Sequence, residues 1–339
     1  MRLSAMGDVA MTVPVLRALA HHYPELKLTV ISRPFFQPFF NDIPNLHFFA
    51  FDEKKRHKGI VGLWRLFQDL KAFNIDAFAD LHNVLRSKVM RTLFALSGKK
   101  VAFVDKGRVE KKALTRAENK IFQPLTTMFE RHQLVLESLG FPIDLSRPQF
   151  PVKVEISQPE LATIVSQSNT VIGIAPFAQY DSKVYPLDLM QKVIDALASH
   201  KNSTIFLFGG GQKEKEQLQL LVGNKTNVLN IAGKIPFQEE LNLISNLDVM
   251  LSMDSGNGHI AAMLGIPVVT LWGATHPFAG FLPFNQTMDK ALVSDRNQYP
   301  NLPTSVYGNK KVAGYENAMR TILPEQVVAR IEEVLKDKK

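Results

Sequence analysis

Ser252–Gly273 reads SMDSGNGHIAAMLGIPVVTLWG, and the interpretation of this stretch decides the fold. Val249-Met250-Leu251, just upstream, reads as a buried strand. Gly256–Leu264 reads as a helix, and Gly265-Ile266-Pro267 ends it with a glycine followed by a proline. Val268–Leu271 is a second strand. The unit is therefore a short β-α-β, and its turn carries Asp254, Ser255, Gly256, Asn257 and Gly258. A turn of small residues at a helix N-terminus leaves backbone N–H groups exposed, and an anion binds there readily. Two readings are open at this point. Asp254 or Ser255 caps the helix, or the turn holds an anion.

Outward from this unit the same alternation continues. Strands are expected at Leu28–Ile31, His47–Phe51, Ala77–Leu81 and Val101–Val104, then at Val171–Pro176, Thr204–Phe208, Val228–Ile231 and Ala291–Val293. Helical periodicity falls between them: Thr12–Tyr23, Leu63–Phe73, Arg86–Ser97, Phe129–Leu139, Leu187–His200, Lys213–Val222, Gln238–Ser245 and Pro324–Leu335. Strands alternating with helices predict parallel sheets covered on both faces. The pattern breaks at Leu145–Glu160, LSRPQFPVKVEISQPE, which has three prolines and no helical period. This predicts two doubly wound α/β domains facing a cleft, 1–150 and 151–339, with ligands beyond the carboxyl ends of the strands. The last helix is a candidate to pack back on the first domain.

The composition is that of a globular chain: 339 residues, 45% apolar, 21% charged and no cysteine. Disulfides, thiolate-bound zinc and a cysteine nucleophile are excluded. No apolar run approaches the roughly 20 residues of a membrane span, and no signal peptide is readable. The expected location is cytoplasmic. The net charge of +8 is unevenly placed: residues 1–150 hold 23 Lys/Arg against 14 Asp/Glu, and residues 151–339 hold 17 against 18. Basic clusters lie at Lys54–Lys58 and between Lys99 and Lys120. They are either a solvated face or the footprint of an anionic partner: a phosphorylated substrate, anionic lipid or nucleic acid. No nucleic-acid recognition motif accompanies them, and nucleic acid is not an expected partner.

The chain opens MRLSAMGDVAMTVPVLRALAHHYP, with Gly7-Asp8 ahead of an amphipathic helix. A βα loop follows a strand, yet only Met1–Ser4 are available for one. Either that strand is very short, or it is truncated and the native start lies upstream of Met1. Asp8 is a carboxylate favoured by the helix dipole, or a general base.

Four motifs together resemble the glycosyltransferase family of lipopolysaccharide heptosyltransferases: RLSAMGDVAMTVPVLRAL at the start, DLHNVLRS at Asp80–Ser87, IAPFAQYDSKVYPLDLM at Ile174–Met190 and MDSGNGHIAAMLGIPVVTLWGATHP at Met253–Pro277. The resemblance implies a GT-B fold of two Rossmann-like domains. It implies inverting transfer of heptose from ADP-heptose, held by the C-terminal domain, to a lipopolysaccharide core acceptor on the N-terminal domain. On that resemblance Asp8 is the catalytic base and Lys183 contacts the donor phosphates. Asp254, Ser255, Gly256 and His259 form the donor turn, and Arg86 and Ser87 belong to an acceptor-side motif. In the family a pair of hydroxyl residues precedes the donor lysine; Ala178 and Gln179 stand at those places here.

Inverting transfer needs one base for the acceptor hydroxyl and stabilisation of the departing diphosphate. Asp8 suits the first task; Lys183 and the Ser255–Gly258 turn suit the second. No carboxylate cluster calls for a metal, and no cofactor is expected beyond the nucleotide-sugar donor. The expected partners are that donor, a phosphorylated or acidic glycolipid, and the anionic inner-membrane surface, with peripheral attachment at its inner face. FGGGQKE at Phe208–Glu214 either approaches the adenosine or is a tight turn. Trp64 and Trp272 are expected in the core or on a cleft wall. Alternative readings are a transferase using another nucleotide sugar or acceptor, a sugar-nucleotide epimerase on this fold, and a non-catalytic glycolipid-binding relative.

Overall fold

The computed structural model describes residues Met1–Asp337. The chain divides into two units, Met1–Arg108 with Thr126–Phe150, and Val109–Leu125 with Pro151 onward. The segment Val109–Leu125 thus belongs to the second unit, although it lies between two stretches of the first.

The first unit contains α1 (Met6–Ala10), α2 (Thr12–His22), β1 (Leu28–Ser32), β2 (Leu46–Ala50), α3 (Gly59–Lys71), β3 (Ala77–Asp80), α4 (Leu85–Leu96) and β4 (Lys100–Phe103). Helix α5 (Arg108–Thr115) starts in this unit and passes into the second; α6 (Met128–Ser138) returns to the first. Strands β1 and β2 pair in parallel, as do β3 and β4. Met1–Leu3 runs between the two pairs. The Arg2 N–H donates to Ile31 O at 3.2 Å and Ser32 Oγ donates to Arg2 O at 2.7 Å on one side. On the other, the Met1 amino group donates to Ala79 O at 2.8 Å and the Leu3 N–H to His82 Nδ1 at 3.4 Å. Alternating sides is how an extended chain bonds to two neighbours. Met1 and Leu3 are buried with Ile31, Phe51, Leu66, Phe78 and Phe94 in the unit's core. Met1–Leu3 is thus a short extended segment bonded on both sides, ahead of α1.

The second unit contains α7 (Pro159–Gln167), β5 (Thr170–Ala175), α8 (Leu187–Ala198), β6 (Ser203–Leu207), α9 (Gly211–Val222), β7 (Val228–Asn230), α10 (Phe237–Ser245), β8 (Val249–Met253), α11 (Gly256–Met263), β9 (Val268–Trp272), β10 (Ala291–Val293) and α12 (Pro324–Lys336). Its six-stranded sheet has the order β10-β9-β8-β5-β6-β7, and every pairing is parallel. Strands β5, β6, β8 and β9 are almost wholly buried, which explains their continuous apolar runs. The chain winds from β5 through β6 to β7, then returns to place β8 on the opposite side of β5. The winding therefore reverses between β5 and β8, and a crevice opens at their carboxyl ends. The apolar residues of α12, Val327, Ile331 and Val334, belong to the core of this same unit. Among the described residues no helix is long and apolar enough to cross a membrane.

Candidate active site

The reversal between β5 and β8 brings together two residues far apart in sequence. Lys183 lies in a single 3₁₀ turn, Asp181–Lys183, in the loop after β5. Asp254 lies immediately after β8. Lys183 Nζ is 3.0 Å from Asp254 Oδ2, with the side chains 12% and 9% exposed. Asp254 is thus engaged by the lysine. Ser255, the residue before α11, makes no side-chain cap to the helix; its hydroxyl sits 3.0 Å from Ser252 Oγ. The capping reading of this turn therefore fails for both residues. The first-turn N–H groups of α11, starting at Gly256, carry no side-chain cap and keep their pull on an anion. A side chain at Gly258 would crowd Ser252, its Cβ falling 3.3 Å from the serine Oγ. His259 is buried in the same first turn.

Three loop segments fix Lys183. The Ala274 N–H donates to Ser182 O at 3.0 Å, and the N–H groups of Thr304 and Ser305 donate to Ala274 O at 2.9 and 3.2 Å. Ser182 Oγ donates to Gly308 O at 2.6 Å, and the Gly308 N–H donates to Ser305 Oγ at 2.9 Å. Gly308 has φ +84°, and a Cβ there would fall 2.5 Å from Lys183 Cδ, so the lysine stem lies across a position only glycine can fill. Nothing in residues 296–314 marked this support in the sequence, because it acts mainly through backbone groups.

Around the same loops, Phe122 packs edge-on against His276, and the Arg296 guanidinium lies 3.5 Å above the Phe122 ring. Burial, with Arg296 nearby, pulls His276 down to about 4, so the ring is neutral. Lys120 Nζ donates to Leu114 O at 3.0 Å and to Pro303 O at 2.8 Å. The Phe208–Glu214 turn is closed on itself: the Gly210 N–H donates to Glu214 Oε2 at 2.7 Å.

In the first unit Asp8 sits in the first turn of α1. Its Oδ2 is 2.6 Å from Arg2 Nη2 and accepts the Ala5 N–H at 3.2 Å, and the side chain is 30% exposed. Arg2 is itself anchored: Nε donates to Ser4 O at 2.9 Å and Nη1 to Leu81 O at 2.8 Å. His82 and Lys106 complete the cluster. Burial first, then the charges of Arg2 and Lys106, pull His82 down to about 3. The neutral ring accepts from Leu3 at Nδ1, which leaves the proton on Nε2. Burial, Arg2 and Arg108 also pull Lys106 below the ordinary lysine range. Sequence reasoning singled out Asp8 but missed Arg2, His82 and Lys106. The ends of β3 and β4, where a doubly wound fold places such groups, were the available signal.

The two acceptor-side expectations diverge. Arg86 is 51% exposed and pairs with Glu53 at 2.8 Å; Glu53 also holds Arg33 at 3.0 Å. Ser87 is fully buried, and its hydroxyl accepts the Val84 N–H and donates to Val84 O, both at 3.0 Å. It closes the start of α4 and presents nothing at the surface. Among the described residues no group of three or more His, Cys, Asp or Glu is arranged to hold a metal ion.

A family model described as "Glycosyltransferase family 9 (heptosyltransferase)" matches residues 63–311. The lipopolysaccharide core heptosyltransferase OpsX of Haemophilus influenzae is 24% identical over 340 residues, covering 98% of this chain and 95% of that protein. The crystal structure of the glycosyl transferase family 9 from Veillonella parvula superposes with a TM-score of 0.74 at 20% identity, over 99% of this chain and 95% of that one. The E. coli heptosyltransferase WaaC with ADP-2-deoxy-2-fluoro heptose gives 0.67 at 18% identity, over 98% of each chain. The fold is GT-B.

Proposed function

The chain belongs to glycosyltransferase family 9, the heptosyltransferases, and from that premise we propose that it transfers heptose from ADP-heptose to a lipopolysaccharide core acceptor with inversion at the anomeric carbon. The observation that carries this reading is the Lys183–Asp254 pair beside the uncapped N-terminus of α11, at the winding reversal of a parallel sheet. Lys183 and the first-turn N–H groups of α11 suit a diphosphate. Asp254, Ser255, Gly256 and His259 line the turn on which the donor would lie.

Asp8 takes the proton from the acceptor hydroxyl. That oxygen attacks the anomeric carbon, and the bond from this carbon to the β-phosphate oxygen breaks. ADP departs with the bonding electron pair, and its added charge faces Lys183 and the dipole of α11. The products are the glycoside, ADP and a proton on Asp8. Arg2 keeps Asp8 aimed, and the exposed part of its carboxylate is what an acceptor would reach.

The acceptor is read as a phosphorylated or acidic glycolipid at an anionic membrane surface, with Arg86 on its path. The support is charge: the first unit keeps 19 Lys/Arg against 12 Asp/Glu without the Val109–Leu125 segment. Incubation with ADP-heptose and truncated lipopolysaccharide cores, read by mass spectrometry, tests the function. A heptose increment on one core is expected. No increment on any core, or an increment only with a different nucleotide sugar, defeats the reading.

A further inference from the structure

Trp64 stands outside the core. It is 51% exposed on the outer face of α3, next to Ile60 at 81% and Val61 at 65%. The sequence placed both tryptophans in the interior or on a cleft wall; Trp272 is there, 1% exposed, and Trp64 is not. The inner face of α3 is conventional: Leu63, Leu66, Phe67 and Leu70 are buried in the unit's core. Three large apolar side chains on the first two turns therefore face water without helping to fold the chain.

The loop that leads into them is basic and rigid. The Asp52 carboxylate accepts the N–H groups of Lys54, Lys55 and Arg56 at 3.3, 3.1 and 3.3 Å. His57 is buried, stacked on Phe51, with Nε2 3.2 Å from Asp69. A Cβ at Gly62 would fall 2.2 Å from the His57 backbone, so only glycine lets α3 press this close to the loop. The result is a fixed platform with Lys54, Lys55 and Lys58 pointing outward. Among the described residues none of the three, nor Arg65 beside Trp64, is in an ion pair. Arg56 differs, because it is held by Asp69 at 2.8 Å. A tryptophan and two aliphatic side chains ringed by unpaired cations match the headgroup boundary of an anionic bilayer, where the apolar groups enter and the lysines meet phosphates.

We propose that the Lys54–Arg65 platform is the face by which this protein docks on an anionic lipid bilayer, with Ile60, Val61 and Trp64 entering the headgroup layer. The start of α3 follows the carboxyl end of β2, and Asp8 follows the carboxyl end of the Met1–Leu3 segment, so both lie on one edge of the first unit. Docking by this face brings that edge, with Asp8, to the membrane that would carry the acceptor. The inference deepens the glycolipid reading above and rests on it for its purpose.

The two tryptophans make the test direct. The full chain is titrated with vesicles of phosphatidylethanolamine and phosphatidylglycerol, and with phosphatidylcholine alone as control. Tryptophan emission should shift to the blue and be quenched by lipids brominated high on the acyl chain. Trp64→Phe should abolish both signals while the protein still sediments with vesicles. Each lysine lost from Lys54, Lys55 and Lys58 should weaken partition about fivefold at low salt. Ile60→Ser with Val61→Ser should weaken it further, with melting temperature unchanged. Sedimentation of the parent without a Trp64 signal overturns the proposal, as does equal partition into neutral vesicles. A lipid-independent shift that grows with protein concentration also overturns it, because the face then joins two copies. A protein that uses ADP-heptose on a delipidated core but ignores vesicles loses the docking face and keeps the function. One that docks but transfers no heptose loses the function and keeps the face.

Discussion

Lys183 Nζ rests 3.0 Å from Asp254 Oδ2, and the two residues come from loops on either side of the point where the sheet reverses its winding. The pair is nearly buried, so neither charge is tolerable there without the other. Asp254 therefore fixes where the Lys183 ammonium stands at the reversal of the sheet.

Lys183→Met is expected to weaken ADP binding by about 1.5–3 kcal/mol, the usual worth of a charge-assisted contact. It should also lower stability, by about 3 kcal/mol at most for a pair that is not wholly buried. The double variant Lys183→Met, Asp254→Leu separates the effects: melting temperature recovers and ADP affinity does not. Calorimetry and thermal melts read the two. Unchanged ADP affinity in Lys183→Met would make the lysine purely structural.

Asp8→Asn keeps the size of the side chain and removes the base. Turnover should fall roughly 10²–10⁴-fold while ADP affinity stays as in the parent. Arg2→Met should lower turnover as well, and it should destabilise the first unit because Ser4 O and Leu81 O lose their donor. If Asp8→Asn turns over like the parent, Asp8 has no part in the chemistry.

Gly308→Ala tests the backing of Lys183 and, with it, the proposed diphosphate contact. The added Cβ meets Lys183 Cδ at 2.5 Å and forces an alanine to φ +84°. The backbone cost is about 1–2 kcal/mol. Gly314 has φ +80° with nothing within 4 Å of its Cβ position, so Gly314→Ala carries the backbone cost without the collision. Stability should fall in both variants, and ADP affinity only in Gly308→Ala. Equal ADP affinity in the two would dismiss the contact.

Two buried histidines and one half-buried glutamate set opposite pH slopes. His82 and His276 are pulled down to about 3 and about 4, against an ordinary 6.5. The unfolded chain therefore binds more protons between those values, and stability falls as pH drops below about 6.5. Glu240 is pushed up by burial to about 7 from 4.5, so its contribution is full below 4.5 and is lost as pH rises through 7. Melting temperature should peak between these limits. His276→Asn should flatten the acid side, and Glu240→Gln should raise the melting temperature at pH 8 but not at pH 4. A Glu240→Gln gain that is the same at both pH values contradicts the assignment.

The sheet of the second unit was legible because its central strands are buried on both faces: β8 and β9 start at Val249 and Val268, where the sequence reading put them. Helix α7 escaped notice because none of its residues is buried, so it needs no apolar stripe. Helix α5 escaped because charged residues make up half of it and Lys111 is one of its buried residues. Asp8 in the first unit and Asp254 in the second stood out as carboxylates at turns that open a helix, and Lys183 only through the resemblance to the heptosyltransferases. The parts that position them did not. Arg2 works through carbonyl oxygens of Ser4 and Leu81, and the 304–308 loop works through amides, and neither leaves a pattern in side chains.

The segment Val109–Leu125 sets the order of events during synthesis. It leaves the ribosome long before the residues it packs with: the Leu125 N–H waits for Phe278 O, and Lys120 for Pro303 O. The first unit closes over residues on both sides of that waiting stretch, so the peptide passes between units three times, at 108–109, 125–126 and 150–151. Such long-range pairings slow folding and leave α5 without its partners while translation proceeds. A gene split at codon 150 would strand Val109–Leu125 on the wrong fragment, and a protease nick there would sever one of three tethers and release neither piece.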